Sequence, residues 1–195
     1  MRARSNAEEA FRIVHMILKT EPKNLTMMHL PTLLKVLKTK KEDADCQGRG
    51  LSVLITLSAQ SPDNRKKIIK LGGIQASLGA MKRYPSNDLI QENGCGTLRN
   101  LAVDDGLEMI PRMGGIKMIL DAMKRRKSHA NMVKKCIGAL NNLMVNVENR
   151  KKIKKLDGIR LTLDILKRHT SDAFLVHLTS ATIMILAYGN TENQK

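Results

Sequence analysis

A spacing of 27 residues between two aliphatic side chains occurs four times along this chain of 195 residues. The first members of consecutive pairs lie 44, 42 and 43 residues apart. Such a period is typical of stacked copies of one small helical unit, because a lone unit cannot bury its own apolar face and needs a neighbour. The spacing therefore predicts a repeat protein. The four pairs are Leu30 and Leu57, Ile74 and Leu101, Ile116 and Leu143, and Ile159 and Leu186.

Each unit is predicted to contain three helices. The first is short and ends at a pair of turn residues, which are Gly72-Gly73, Gly114-Gly115 or Asp157-Gly158. Glycine there can adopt the left-handed conformation that ends one helix and turns the chain into the next. A phosphate-binding loop is the alternative for a Gly-Gly pair, but no GxGxxG or GK[ST] pattern and no preceding strand accompany it.

The second and third helices are predicted from apolar residues at positions i, i+3, i+4 and i+7, which is the period of an amphipathic helix. No segment shows the alternation of a β-strand. The third helix of each unit also carries a small residue in register, and we expect these small residues to let the helices of adjacent units approach closely. They are Gly50, Gly94, Cys136 and Thr179.

The period predicts a single all-α domain over residues 1–195. Four units are expected at residues 24–60, 64–103, 106–146 and 149–188, preceded by a capping helix at residues 7–20 and followed by a polar tail at residues 189–195. The last helix is expected to leave an apolar edge exposed, so that either the natural protein continues or a partner docks there. The residues of this edge are Ala181, Ile183, Ile185 and Leu186.

Composition restricts the partners and the compartment. The formal charge of +16 favours an acidic partner, which is nucleic acid, anionic lipid or an acidic protein segment. No run of about 18 apolar residues is present, so no transmembrane segment is predicted, and no signal-type apolar stretch follows Met1. Three widely spaced cysteines, Cys46, Cys95 and Cys136, indicate reduced thiols. We expect a cytoplasmic location, with a nuclear one as the alternative if residues 124–127 act as a nuclear address.

Catalysis has little support in the sequence. The five histidines lie in no HExxH or Cys/His ligand spacing, and no G-x-S-x-G elbow is present. Asp104 and Asp105 follow a third helix, where solvated acids are expected. Cys95 and Cys136 fall on helices that should pack together, which disfavours a catalytic thiol. We therefore expect no enzyme activity, no cofactor, no metal site and no small-molecule substrate.

Two kinds of sequence motif in this chain resemble motifs of the armadillo-repeat family. The residues from Asn64 to Ile74, which return from Asn149 to Ile159, are similar to its first-helix-and-turn signature. The stretches 94–102 and 136–143 resemble its third-helix signature. The resemblance covers about residues 24–188 and implies a right-handed α-solenoid of three-helix repeats. Third helices of this family line a concave groove, and second helices lie on the convex side.

The resemblance also implies where a ligand binds, because family members usually hold an extended peptide in that groove through an Asn on the third helix. The matching positions here are Thr56, Asn100, Asn142 and Ile185, and Asn93 and Lys135 are further expected groove residues. The structural alternative is that each Asn caps a neighbouring turn. Gly96 and Gly138 stand where the importin-alpha branch has Trp, so binding of basic nuclear-localisation peptides is disfavoured.

Lys and Arg cluster on the predicted first helices, and stacking of the units would align them into a basic face. A solvated surface is the simplest interpretation of any one cluster. The leading hypothesis is a non-enzymatic scaffold that binds an extended, acidic protein segment in the groove or on the basic face. The alternative is non-specific binding of nucleic acid or an anionic membrane through the basic residues alone. The basic face comprises Arg65, Lys66, Lys67, Lys70, Arg150, Lys151, Lys152, Lys154 and Lys155.

Overall fold

The computed structural model describes residues 27–188, which form eleven α-helices after a short 3-10 turn at Met27–His29 and contain no β-strand. The predicted all-α class is confirmed. The expected capping helix at residues 7–20, the first three residues of the first unit and the tail at residues 189–195 lie outside the described residues. The helices are α1 Leu30–Thr39, α2 Ala44–Gln60, α3 Pro62–Lys70, α4 Gly73–Arg83, α5 Asp88–Leu101, α6 Gly106–Arg112, α7 Gly115–Arg125, α8 Ala130–Leu143, α9 Val147–Lys155, α10 Gly158–Arg168 and α11 Ala173–Ala187.

The helices recur in the order first, second and third. The first helices are α3, α6 and α9, the second helices are α1, α4, α7 and α10, and the third helices are α2, α5, α8 and α11. Each third helix packs against the next third helix, and each second helix packs against the next second helix. Each first helix packs against the second helix that follows it. Neighbouring units are therefore joined along two rows of helices, one of second helices and one of third helices.

Each third helix begins at a side chain that accepts a hydrogen bond from a backbone N–H three residues later. Asp43 accepts from Cys46 at 2.9 Å, Asn87 from Ile90 at 3.1 Å, and Asp172 from Leu175 at 3.0 Å. On α8 the imidazole Nδ1 of His129 accepts from Met132 at 3.3 Å. These bonds satisfy donors that the first turn of a helix leaves unpaired. The start of each third helix is thus encoded locally.

The turn from first to second helix uses the left-handed conformation. Gly72 and Gly114 have φ values of 95° and 80°, which confirms the role predicted for glycine. In the fourth unit Asp157 adopts the same conformation with φ of 64°. The following glycine is required for a different reason. A β-carbon on Gly115 or Gly158 would lie 2.5 Å from Cγ2 of the isoleucine five residues earlier and 2.8 Å from its carbonyl oxygen.

One continuous aliphatic core runs through all four units. The leucines that close the 27-residue spacing, Leu57, Leu101, Leu143 and Leu186, are each 0% exposed. Phe174 and Tyr188 are exposed, so the aromatic side chains of α11 and its end add little to this core. Among residues 27–188, no helix combines the length and the hydrophobicity that crossing a bilayer requires.

The small residues predicted to bring adjacent units together have another role in two of the four units. A β-carbon on Gly50 would lie 2.5 Å from Cδ2 of Leu37, and a β-carbon on Gly94 would collide with Met81. Leu37 and Met81 belong to the second helix of the same unit. These glycines therefore let the second and third helices of one unit approach closely, because the large side chain of the second helix needs the space.

We predict opposite effects on stability for two Gly→Ala substitutions. Gly158→Ala places a methyl group against Ile153 and should lower the free energy of unfolding by about 1–3 kcal/mol. Gly79→Ala, in the interior of α4 with nothing within 4 Å of the added carbon, should raise it by about 0.5–1 kcal/mol. Urea denaturation of both variants beside the natural protein tests this. A Gly158→Ala variant as stable as the natural protein would contradict the described packing of the turn.

Candidate functional site

Stacking of the third helices brings the residues expected to bind peptide into one row. Thr56, Asn100, Asn142 and Ile185 occupy the same position on α2, α5, α8 and α11. Gly96 and Gly138 lie one helical turn earlier on α5 and α8. We call these six residues the third-helix face. Ile185, which occupies this position on α11, is 38% exposed.

Both asparagines of the third-helix face are anchored to the preceding unit. Asn142 Nδ2 donates to the carbonyl oxygen of Arg99 at 2.9 Å. Asn100 Nδ2 donates to Ser58 Oγ at 3.0 Å and to the carbonyl oxygen of Ile55 at 3.3 Å. Each amide therefore joins two units rather than capping its own turn. Neither Oδ1 atom accepts a hydrogen bond from a residue of the described range, so each remains able to accept one from a ligand.

Two other residues expected in the groove have structural contacts. Asn93 is only 7% exposed and donates from Nδ2 to the carbonyl oxygen of Gly48 at 3.0 Å, so its expected place in the groove is wrong. The cause is the close approach of α2 and α5, which Gly48 allows because it has no side chain. Thr56 donates to the carbonyl oxygen of Ser52 in its own helix at 3.2 Å.

Long side chains of neighbouring units cover the two glycines of the third-helix face. A β-carbon on Gly96 would lie 2.9 Å from Cδ1 of Ile55 and 3.3 Å from Cδ of Lys135. A β-carbon on Gly138 would lie 2.9 Å from Cδ of Arg99 and 3.0 Å from its Nε. The space that a large aromatic side chain would need is therefore filled by Ile55 and by the stems of two cationic residues.

The cations near the third-helix face differ in their partners. Lys135 Nζ lies 2.6 Å from Glu92 Oε1, and Lys134 Nζ lies 2.7 Å from Asp172 Oδ2. Lys134 also lies 5.5 Å from the ring centroid of Phe174. Arg99 is exposed, and no residue of the range 27–188 forms an ion pair or a hydrogen bond with its guanidinium. Arg99 was not identified from the sequence, since its position in the other units holds Ile55, Asn141 and Met184.

The predicted basic face divides into anchored and free cations. Arg65 Nη1 donates to the carbonyl oxygen of Ser58 at 3.3 Å, and Arg150 Nη1 donates to that of Met144 at 2.8 Å. These arginines satisfy carbonyls near the end of the preceding third helix. Lys152 Nζ donates to the carbonyl oxygen of Pro111 at 2.9 Å, and Lys151 pairs with Glu148. The residues with neither an ion pair nor a side-chain hydrogen bond in the described part of the chain are Lys66, Lys67, Lys70, Lys154 and Lys155.

The basic face is also interrupted. The first helix of the third unit, α6, carries Leu107, Glu108 and Met109 where α3 carries Arg65, Lys66 and Lys67. Glu108 pairs with Arg112 of the same helix at 3.4 Å. The basic residues therefore do not continue along α6. Two separate basic patches remain, one on α3 and one on α9.

The thiols are poorly suited to nucleophilic chemistry. Cys46, Cys95 and Cys136 are all free and 0% exposed. Burial, with a smaller effect from Asp43, raises the pKa of Cys46 to about 11. Burial and the hydrogen bond to Cys95 raise the pKa of Cys136 well above its usual value. Within residues 27–188, no group of three or more His, Cys, Asp or Glu side chains is placed to hold a metal ion.

Comparisons with known proteins bear on the fold alone. No family model matches the chain, and no curated protein sequence matches it. Among solved structures, it is similar to an engineered protein whose crystal structure was determined by the Northeast Structural Genomics Consortium. The TM-score is 0.68 at 17% sequence identity, with 80% of this chain and 62% of that chain covered. The chain thus spans less than two thirds of that protein's length.

We predict that the thiols of the folded protein resist modification. At pH 8 a thiol with a pKa of about 11 is almost wholly protonated, and the thiolate is the reactive form. Labelling with Ellman's reagent should therefore be about 100-fold slower in buffer than in denaturing urea. Absorbance at the wavelength of the released thiolate measures both rates. A cysteine that reacts at the unfolded rate in buffer would contradict the burial described here.

Proposed function

We propose that this protein is a non-enzymatic binding scaffold built as an armadillo-type α-solenoid, and that its third-helix face holds an extended acidic protein segment. The two rows of packed helices and the three-helix units support the solenoid. The likeness to the engineered protein supports the helical fold. In this arrangement the third helices line the concave groove and the second helices lie on the convex side.

A single observation carries the choice of ligand: Arg99 lies unpaired between two asparagines that keep a free acceptor. The Arg99 side chain extends over Gly138, one turn before Asn142 on α8, and Asn100 follows Arg99 on α5. A carboxylate can accept two parallel hydrogen bonds from a guanidinium. The amide of each asparagine can accept from a peptide N–H and donate its second hydrogen to a peptide C=O. Together these groups can bind both a backbone and an acidic side chain.

The spacing of the helices suits an extended chain. Packed helices lie about 8–10 Å apart, and an extended peptide rises about 3.3 Å per residue. Asn100 and Asn142 should therefore meet backbone groups about three residues apart on a peptide that crosses the third helices. An acidic residue between those two points would face Arg99. Basic peptides are disfavoured because the site carries Arg99 and lacks room for aromatic shelves at Gly96 and Gly138.

We predict that Arg99→Met weakens binding of an acidic extended peptide. Methionine keeps a flexible stem over Gly138 and removes the charge, so folding should be unaffected. A fluorescein-labelled peptide of about nine residues, with Glu at every third position in a Ser-Gly host, is a suitable probe. Fluorescence anisotropy should give a Kd raised about tenfold, because a hydrogen bond to a charged group contributes about 1.5–3 kcal/mol.

The matched control is Lys70→Met, which removes an exposed, unpaired cation from α3, away from the third-helix face. Its Kd should change less than about twofold, the size of a screened surface effect. Equal losses for Arg99→Met and Lys70→Met would show that the peptide responds to net charge alone and would overturn the groove proposal.

Asn100→Ala with Asn142→Ala provides a second test, and it carries a cost in stability. The double variant loses the Nδ2 hydrogen bonds to Ile55, Ser58 and Arg99, each worth about 0.5–1.5 kcal/mol net. We expect a lower melting temperature together with a Kd for the same peptide raised at least about tenfold. Calorimetry and anisotropy below the melting transition separate the two effects. An unchanged Kd in the folded double variant would contradict a peptide-binding role for these amides.

The alternative function, binding of nucleic acid or an anionic membrane, is favoured by the unpaired lysines Lys66, Lys67 and Lys70 on α3. If it holds, affinity for a random oligonucleotide or for phosphatidylserine vesicles should fall steeply with salt. For duplex DNA, a plot of the logarithm of affinity against the logarithm of salt concentration should have a slope of about −0.9 per phosphate contacted. Changing these three lysines to Glu should abolish that binding while Arg99→Met leaves it intact. Oligonucleotide or vesicle binding unaffected by both salt and charge reversal would remove the alternative.

A further inference from the structure

A groove of about 440 Å³ separates the second helices of the first two units, α1 and α4. Its volume falls within the range of ligand-binding clefts, about 300–1,000 Å³. Leu34 and Leu37 line it from α1, and Ala76 and Gly79 line it from α4. A β-carbon on Gly79 would meet nothing within 4 Å. Within residues 27–188, the α1–α4 groove is therefore open and has an aliphatic lining, and it is separate from the third-helix face.

The edge of the α1–α4 groove is cationic. Lys38, Lys41 and Arg83 all line it. Arg83 already pairs with Glu42 at 2.6 Å. The backbone of Lys41 is held in place because its carbonyl oxygen accepts a hydrogen bond from the Tyr84 hydroxyl at 3.0 Å. Within residues 27–188, no acidic side chain pairs with the ammonium of Lys38 or Lys41.

The same groove recurs two units later between α7 and α10, and there side chains fill part of it. Its volume is about 210 Å³, and it is lined by Lys127, Leu161 and Asp164. By the repeat period, Lys127 corresponds to Lys41, Leu161 to Ala76 and Asp164 to Gly79. Lys127 Nζ donates to Asp164 Oδ2 at 2.8 Å. The protein thus contains, within one chain, both a partly filled and an open version of one groove.

The comparison identifies the two groups that the open groove lacks. Leu161 supplies aliphatic volume, and Asp164 supplies a carboxylate to the lysine. Hydrogen bonding to Lys127 lowers the pKa of Asp164, as expected for a carboxylate stabilised by its cation. Leu161 and Asp164 are three residues apart on α10, so both project from one face of a helix. In the open groove, Ala76 and Gly79 leave these places to another molecule.

We infer that the α1–α4 groove binds a helical segment of a partner protein that presents an aliphatic side chain and, three residues later, a carboxylate. The aliphatic side chain packs beside Leu34 and Ala76, in the place that Leu161 fills in the other groove. The carboxylate accepts a hydrogen bond from Lys41. A second copy of this chain is a poor occupant, because each copy carries a formal charge of +16.

The probe is a capped alanine-glutamine peptide of about 15 residues, long enough to form a helix in water, with Leu and Asp three residues apart. A twin peptide has Asn in place of Asp. Isothermal titration against the full chain should give a Kd for the Asp peptide about tenfold lower than for the Asn peptide, the ratio expected of a charge-assisted hydrogen bond. Equal affinities would overturn the proposal.

Two sets of variants locate the site. Ala76→Leu with Gly79→Asp copies the filled groove and should raise the Kd of the Asp peptide at least about tenfold without lowering the melting temperature. Lys41→Gln, at an exposed position, should remove the preference for Asp over Asn. If the double variant does not fold, Lys41→Gln alone decides the outcome. Undiminished binding of the Asp peptide by either folded variant would overturn the assignment.

Other occupants give distinct results. Decanoate supplies a carboxylate and an aliphatic chain without a helix, so decanoate binding in the absence of peptide binding would replace a partner protein with a small amphiphile. Sedimentation could instead show that the protein self-associates without binding the peptide. If Ala76→Leu with Gly79→Asp abolished that self-association, the groove would be assigned to a second copy. Arg99→Met should leave peptide binding in this groove unchanged, so the outcome is independent of the function proposed for the third-helix face.

Discussion

The fold depends on the burial of each third helix against the next one. Ile55, Arg99 and Asn141 occupy the position that meets the following unit: the first two contact glycines there, and Asn141 accepts a hydrogen bond from Thr182 at 2.8 Å. On α11 the same position is Met184, which is 72% exposed. Within residues 27–188, this position of α11 therefore exposes an apolar side chain to water. The predicted exposure of Ile185 agrees with this, whereas Leu186 is fully buried.

Several acidic residues form ion pairs between neighbouring units. Glu42, Asp88 and Glu92 each pair with a cation of the following unit, and Asp164 and Asp172 each pair with a cation of the preceding one. The 34 lysines and arginines of the chain outnumber its 18 aspartates and glutamates. The unpaired cations of residues 27–188 lie on α3, on the end of α9, at Arg99, beside the α1–α4 groove and at the ends of α7 and α10. The position of the unpaired cations, rather than the total charge, decides where an acidic ligand can be held.

Much of the fold could be predicted from the sequence, because helix period and turn residues act locally. The left-handed glycines at Gly72 and Gly114 and the amphipathic stripes needed no knowledge of the neighbouring helices. The helix that packs against Gly50 could not be predicted, because a small residue indicates that another helix comes close without indicating which one. The burial of Asn93 was missed for the same reason. A polar side chain at a groove-compatible position is covered only if the backbone of the next helix comes near.

The candidate sites were harder to predict than the fold. Arg99 stands at a position whose residue type differs in every unit, so alignment of the repeats hides it. The α1–α4 groove had a signal in the sequence: Ala76 and Gly79 are smaller than Leu161 and Asp164 at the matching positions. That difference becomes meaningful only when Lys127 is seen to pair with Asp164. Pairing of this kind depends on the distance between two helices, which a one-dimensional pattern does not contain.

The hydrogen bonds between units have one further consequence, for the ancestry of the chain. Within residues 27–188, apart from bonds across the short connection between consecutive units, these bonds join residues 37 to 46 positions apart, which is close to one period. Each joint is therefore complete within two adjacent units. Duplication or loss of one whole period by unequal recombination would rebuild the same joint at a new place, whereas a gain of a few residues would break it. Such a chain can change its length in steps of one unit. The residues that line each remaining groove can then change independently of those in the other grooves.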